Sequence, residues 1–168
     1  MYQQPMFYFL GAGISGFINW ILGAKEAYFL VDAAKTVSCA ASCICLLLCR
    51  RIGALCGLRE KEMKYALMLT AFLPAFYIAG GTISPDALVA MCMLLAFALT
   101  LQWLKDPGWL NTVLLAVVYG LGVLTKISCG IVALMTAILF VWKFITQIKA
   151  GIKTAGRLVC KYVVFGLI

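Results

Sequence analysis

Asp86 and Lys126 are the two residues of this sequence whose type and setting could do chemistry. Asp86 stands in Ser84-Pro85-Asp86-Ala87-Leu88, at the mouth of one apolar run. Lys126 closes another, Gly120-Leu121-Gly122-Val123-Leu124-Thr125-Lys126. A charge at membrane depth costs about 2.5–3.5 kcal/mol on insertion scales, so charges at the ends of apolar spans mark places where helices meet the aqueous boundary. There a carboxylate can take the proton of a hydroxyl within hydrogen-bond reach. An ammonium can steady negative charge as it develops on a leaving group. The same two residues could instead cap helix ends or snorkel, and their positions alone leave both roles open. Asp32 and Glu26 are further acids, expected to pair with Lys35 and Lys25 near the interface.

The elements that must position these residues belong to a membrane. The chain of 168 residues is 65% hydrophobic and 12% charged, with mean hydropathy +1.05, whereas a soluble domain is charged at about a quarter of its positions. The expected class is all-α, a polytopic bundle, and spans of about 20 residues would use most of the chain. No segment reads as a soluble domain or as a cleaved signal peptide. With no histidine, a Ser-His-Asp triad, a histidine acid–base pair and an imidazole metal site are all excluded.

The net charge of +8 is distributed in a way that argues against nucleic acid. Arg50, Arg51, Arg59, Lys61 and Lys64 cluster between two apolar runs, Lys143, Lys149, Lys153, Arg157 and Lys161 follow near the end, and Lys105 sits in the break Lys105-Asp106-Pro107-Gly108. All could share one face, which is the positive-inside pattern and makes these loops cytoplasmic. A nucleic-acid surface would want exposed aromatics interleaved with the cations on a soluble scaffold.

A segment over 4–23, rich in aromatics (Phe7, Tyr8, Phe9, Phe17, Trp20), is expected to lie at the interface or dip into the bilayer, and with no strong positive anchor it could also span. Spans are expected over 27–49, 65–83 with a kink at Pro74, and 85–104, where Pro85 and Asp86 suit a first turn. Asn111 to Trp142 as one straight helix would reach about 48 Å, against a hydrocarbon core of about 30 Å. The polar stretch Thr125-Lys126-Ile127-Ser128-Cys129-Gly130 therefore divides it, giving spans over 109–125 and 127–143. Lys126 then falls on the face of Asp86, opposite the basic loops. A further span begins at 158–168.

Cys39, Cys43, Cys45 and Cys49 lie in an apolar helix, where successive positions turn by about 100°, and read as small packing residues rather than zinc ligands. Gly11-Ala12-Gly13-Ile14-Ser15-Gly16 has dinucleotide-fingerprint spacing but follows no strand, and reads as close helix packing.

With these residues in place the chain resembles a family. Tyr2-Gln3-Gln4-Pro5-Met6-Phe7-Tyr8-Phe9-Leu10 is similar to the His/Gln-Pro-Pro-Leu-Tyr-Tyr-Leu-Leu opening of the large membrane glycosyltransferases, the dolichyl-phosphate-mannose protein mannosyltransferases and bacterial lipid A aminoarabinose transferases. Cys49-Arg50-Arg51 looks like the basic end of that family's second span. Leu73-Pro74 through Ser84-Pro85-Asp86-Ala87-Leu88 resembles its Ser-Pro…Pro-Asp-Ala-Leu region, and Tyr119 to Lys126 its Gly-Leu-Gly-Leu-Leu-Thr-Lys segment. The chain departs from the pattern in Gln3-Gln4, where histidine is commoner, and in the single Pro5.

The resemblance implies a partial GT-C fold of five or six membrane helices plus an interfacial helix. Its donor would be a polyprenyl-phosphate sugar and its acceptor a lipid, glycan or protein, joined by a direct inverting displacement on the extracytoplasmic face. It implies Asp86 as a second pocket acid and Lys126 at the donor phosphate. Gln3, Gln4, Pro5 and Tyr8 would shape the substrate loop. It implies no certain cofactor; a divalent metal is compatible with it, but no ligand set in the sequence indicates one. The competing classes are a transporter fragment and a scaffold subunit. The sequence stops inside an apolar run and its first residues look like the middle of a loop, so it reads as a piece incomplete at both ends. The family's main carboxylate would precede the Gln-Pro motif, so the chain alone is expected to be inactive. Sugar transfer by the isolated chain would overturn that expectation.

Overall fold

The computed structural model describes residues 6–22, 28–83 and 85–148, and every element among them is helical. The helices are α1 (Met6–Leu22), α2 (Tyr28–Leu55), α3 (Glu60–Ala71), α4 (Pro74–Gly81), α5 (Asp86–Lys105), α6 (Trp109–Thr125) and α7 (Gly130–Ile148), with a 3₁₀ turn at Ile127–Cys129. Residues 3–5, the Lys25–Glu26 pair and the span expected at 158–168 lie outside the described residues.

Two helices, α5 and the Val31–Leu55 part of α2, are long and apolar enough to cross a membrane. The pair α3–α4 makes a third if its two halves count as one span. The chain is thus a helical membrane protein. The helices α1 and α6 are apolar but shorter: at 17 residues each they reach only about 25 Å.

Several boundaries differ from expectation for local reasons. The span expected to end at Cys49 continues through Arg50 and Arg51, because arginine is a good helix former. The helix stops at Gly57, whose φ of +78° is left-handed and whose N–H, with those of Cys56 and Leu58, closes back on the last turn. The span expected over 65–83 begins at Glu60, where Glu62 accepts the Arg59 N–H at 3.0 Å. Pro74 does more than kink it. The chain ends one helix at Ala71 and starts another at Pro74, bent by 57°, with proline at the first helical position where its missing N–H costs nothing.

The core gathers around α5. Trp103 is fully buried, its indole N–H donating to Thr112 Oγ1 at 2.9 Å and its ring 4.2 Å from that of Phe140. Next to it the hydroxyls of Thr100, Thr136 and Tyr119 are hydrogen-bonded together, tying α5, α7 and α6. Lys143 of α7 donates to the carbonyls of Trp103 and Leu104 at the end of α5, which the end of a helix leaves unsatisfied. On the other side Val37 and Ala41 of α2 pack with Ala87 and Leu88 of α5 and with Phe7 of α1.

These contacts fix directions. The α2 helix runs parallel to α5: Val37 meets Leu88 at one end, while at the other Arg51 donates to Gln102 at 2.6 Å and Lys105 to the Leu55 carbonyl. The α6 helix runs antiparallel to α5, and α7 parallel to it again. Arg50, Arg51, Lys105 and Lys143 therefore share one end of the bundle, and Asp86 and Lys126 the other.

Gly122 allows α6 to fold back closely at that second end. A Cβ there would lie 3.0 Å from Cys129 Sγ, 3.2 Å from Cys129 Cβ and 3.5 Å from Cys92 Cβ. A Cβ at Gly120, two residues earlier and on the far side of the same helix, would meet open space. Gly122→Val should destabilise the fold by about 1–3 kcal/mol through overpacking, whereas Gly120→Ala should not destabilise it; thermal unfolding in detergent separates the two.

Candidate functional site

Lys126 Nζ lies 2.7 Å from Asp86 Oδ1. The two residues stand 40 positions apart in the chain, and each is placed by the end of a helix. Asp86 opens α5, where a negative charge complements the positive end of the helix dipole. Lys126 closes α6, where a positive charge complements the negative end. Because α5 and α6 are antiparallel, the favourable end for an acid and the favourable end for a base coincide.

Lys126 leaves the helix in extended backbone, φ −166° and ψ 135°, while its N–H still bonds the Gly122 carbonyl at 2.9 Å. The 3₁₀ turn that follows is anchored by Cys129, which is buried against Val89 and Cys92 of α5. That anchor holds Lys126 over the start of α5. The pair itself is open: the side chains of Lys126 and Asp86 are 48% and 58% exposed. An exposed ion pair contributes about 0–1 kcal/mol to stability. The fold is therefore expected to depend on it little, and its two charges are accessible to solvent.

Phe7 brings the start of α1 to the same region, packing with Ala87 and Leu88 directly after Asp86. Tyr8 follows it, half exposed, with its ring edge-on to Phe7 at 5.6 Å. Of the residues expected in the substrate loop, Tyr8 is the one described, beside Phe7 on α1, while Gln3, Gln4 and Pro5 fall outside the described residues. Asp32 and Lys35 lie on the exposed side of α2 and, among the described residues, form no ion pair with each other. The cysteines of α2 do not converge: Cys45 is buried while Cys39 and Cys43 are exposed. Among the described residues no group of three or more cysteine or carboxylate side chains could hold a metal ion.

The arrangement can offer an anion a lysine ammonium and, within the same few ångströms, offer a hydroxyl a carboxylate. The supports of this pair were harder to foresee than the pair itself. Gly122 and Cys129 carry no chemical signal; only the interruption of an apolar run by Thr125-Lys126 marks where they must meet. No protein-family model, no curated protein and no solved structure matches this chain.

Asp86→Asn and Lys126→Gln should each change unfolding stability by no more than about 1 kcal/mol. A loss of several kcal/mol in either variant would make the pair a structural clamp and remove it as a candidate site.

Proposed function

We propose that this chain is the core of a membrane glycosyltransferase of GT-C type, moving a sugar from a polyprenyl-phosphate donor to a lipid, glycan or protein acceptor at the extracytoplasmic face. The observation that carries the reading is the Lys126–Asp86 pair, 2.7 Å apart and open at the end of the bundle away from Arg50, Arg51, Lys105 and Lys143. The positive-inside bias assigns the cationic end to the cytoplasm, which leaves the pair facing out.

The bundle supports five spans. The α6 helix meets α5 at both ends, through Asp86–Lys126 and through Trp103–Thr112. The α7 segment does the same, from Cys129 against Val89 to Lys143 at the Trp103 and Leu104 carbonyls. Both cover the depth that α5 covers, so if α5 crosses the bilayer they cross it too. With α2 and the bent pair α3–α4 that makes five. Phe17 and Trp20, 61% and 81% exposed on α1, suit an interfacial helix.

In the reaction an acceptor hydroxyl oxygen attacks the anomeric carbon from the face opposite the phosphate. The new carbon–oxygen bond forms as the bond to the phosphate oxygen breaks, and the electron pair leaves with the polyprenyl phosphate. Lys126 offsets the charge that accumulates there. Asp86 is the acid of this chain positioned to receive the hydroxyl proton. In the unliganded pair each neutralises the other. A donor phosphate gives Lys126 a second anion and releases a carboxylate oxygen toward the acceptor.

Lys126→Gln should lower transfer by about 10²–10³-fold, the usual cost of one charge-stabilising donor. Asp86→Asn should lower it by about 10²–10⁴-fold, the usual worth of a general base. The assay is transfer of label from polyprenyl-phosphate mannose and polyprenyl-phosphate aminoarabinose to acceptors in membranes containing the gene product at matched abundance. Unchanged transfer in both variants would refute the assignment, and a loss of solute uptake instead would identify a transporter.

A further inference from the structure

At the opposite end of the bundle, α2 and α3 leave a groove between them. It consists of two adjoining cavities of about 390 and 490 Å³ that share Arg50 and Leu67, each in the range of about 300–1,000 Å³ that binds small ligands. The inner cavity is apolar, walled by Leu46 and Leu47 of α2 and by Met68, Ala71 and Phe72 at the end of α3. The outer one carries Lys64 and Glu60 with Met63 and Leu58. The lining residues fall on one stripe of each helix. Met63 sits tightly over Gly53, where a Cβ would lie 2.5 Å from its terminal methyl, and this contact sets the separation of the two helices.

The α3 helix buries no residue of its own. Leu69 and Phe72 are 75% and 80% exposed, so packing within the described fold does not account for its apolar side. Its charged end has a partner of a definite kind to attract. Arg50, Arg51, Arg59, Lys61 and Lys64 stand against two carboxylates, Glu60 and Glu62, and Glu62 is engaged with the Arg59 N–H. Glu60 lines the outer cavity only, whereas Arg50 stands at the junction with the inner one. The order along the groove is cation at the rim, hydrocarbon toward the membrane centre. That is the polarity of an anionic lipid, and basic pockets between membrane helices are built to take such headgroups.

We propose that the α2–α3 groove binds one anionic phospholipid of the bilayer, its phosphate between Arg50 and Lys64 and an acyl chain along Leu46, Leu47, Met68 and Phe72. This site is independent of the sugar-transfer reading, since it lies at the other end of the bundle. It gives α3, which packs weakly on its own, a lipid to complete its contact with α2.

The test uses the full chain in nanodiscs of phosphatidylcholine containing a minor fraction of phosphatidylglycerol, with retained lipid counted by native mass spectrometry. One phosphatidylglycerol per chain should be retained over phosphatidylcholine. The variant Arg50→Gln/Lys64→Gln should weaken that retention by about thirtyfold, or about 2 kcal/mol for two cations near the surface. Arg59→Gln/Lys61→Gln removes the same charge outside the groove and should retain the lipid. Ala71→Trp, which fills the inner cavity and leaves every charge in place, should lose it. Equal weakening by both charge pairs would replace the site with diffuse attraction. Retention by Ala71→Trp, or no preference over phosphatidylcholine, would also overturn it. So would a crosslink from Met68 to residues 149–168, which would show the groove filled by the chain itself.

Discussion

An acid and a base from distant parts of an apolar chain can share one end of a bundle only if the helices carrying them are antiparallel and in register. That register is the constraint on which the rest depends. It is set at the far end, where fully buried Trp103 of α5 donates to Thr112 of α6. It is reinforced midway, where Tyr119 of α6 and Thr136 of α7 share a hydrogen bond next to Thr100 of α5. Such interhelical hydrogen bonds contribute about 0.6 kcal/mol each on average in a membrane, so the network directs the packing more than it stabilises it. Gly122 then lets the end of α6 close on Cys129, and Lys126 comes to rest over Asp86.

The two ends of the bundle are chemically unlike. At one, cations satisfy helix carbonyls and the amide of Gln102, as Lys105 does for Leu55 and Lys143 for Leu104. These cations hold structure together. At the other end, Lys126 and Asp86 are half exposed and held by helix ends that do not require their charges to persist as a pair. Charges with little structural worth and good access are the ones open to a substrate.

Much of this was legible because polarity in a membrane chain is sparse. The helical class followed from composition. The break at Lys126 followed from the length of the apolar run, and the shared end of Asp86 and Lys126 from counting spans between them. What escaped were features whose signal is not polarity. Gly57 ends α2 by adopting a left-handed conformation, well past the arginines that mark the expected boundary. Pro74 separates two helices at 57° rather than kinking one, because the intervening Phe72 and Leu73 also leave the helix. The roles of Trp103 and Tyr119 depend on which helices face each other, which an apolar sequence with weak periodicity does not specify.

The central claim is that Lys126 and Asp86 have different chemical duties toward a phosphate-leaving sugar, and exchanging them tests it most directly. The charge swap Asp86→Lys/Lys126→Asp keeps an opposite-charge pair at the same place but puts each group in the other's proposed position. Labelled sugar transfer from polyprenyl-phosphate donors, measured in membranes containing the gene product at matched abundance, should be abolished by the swap. Transfer retained at the wild-type rate would contradict the account and reduce the pair to a surface ion pair.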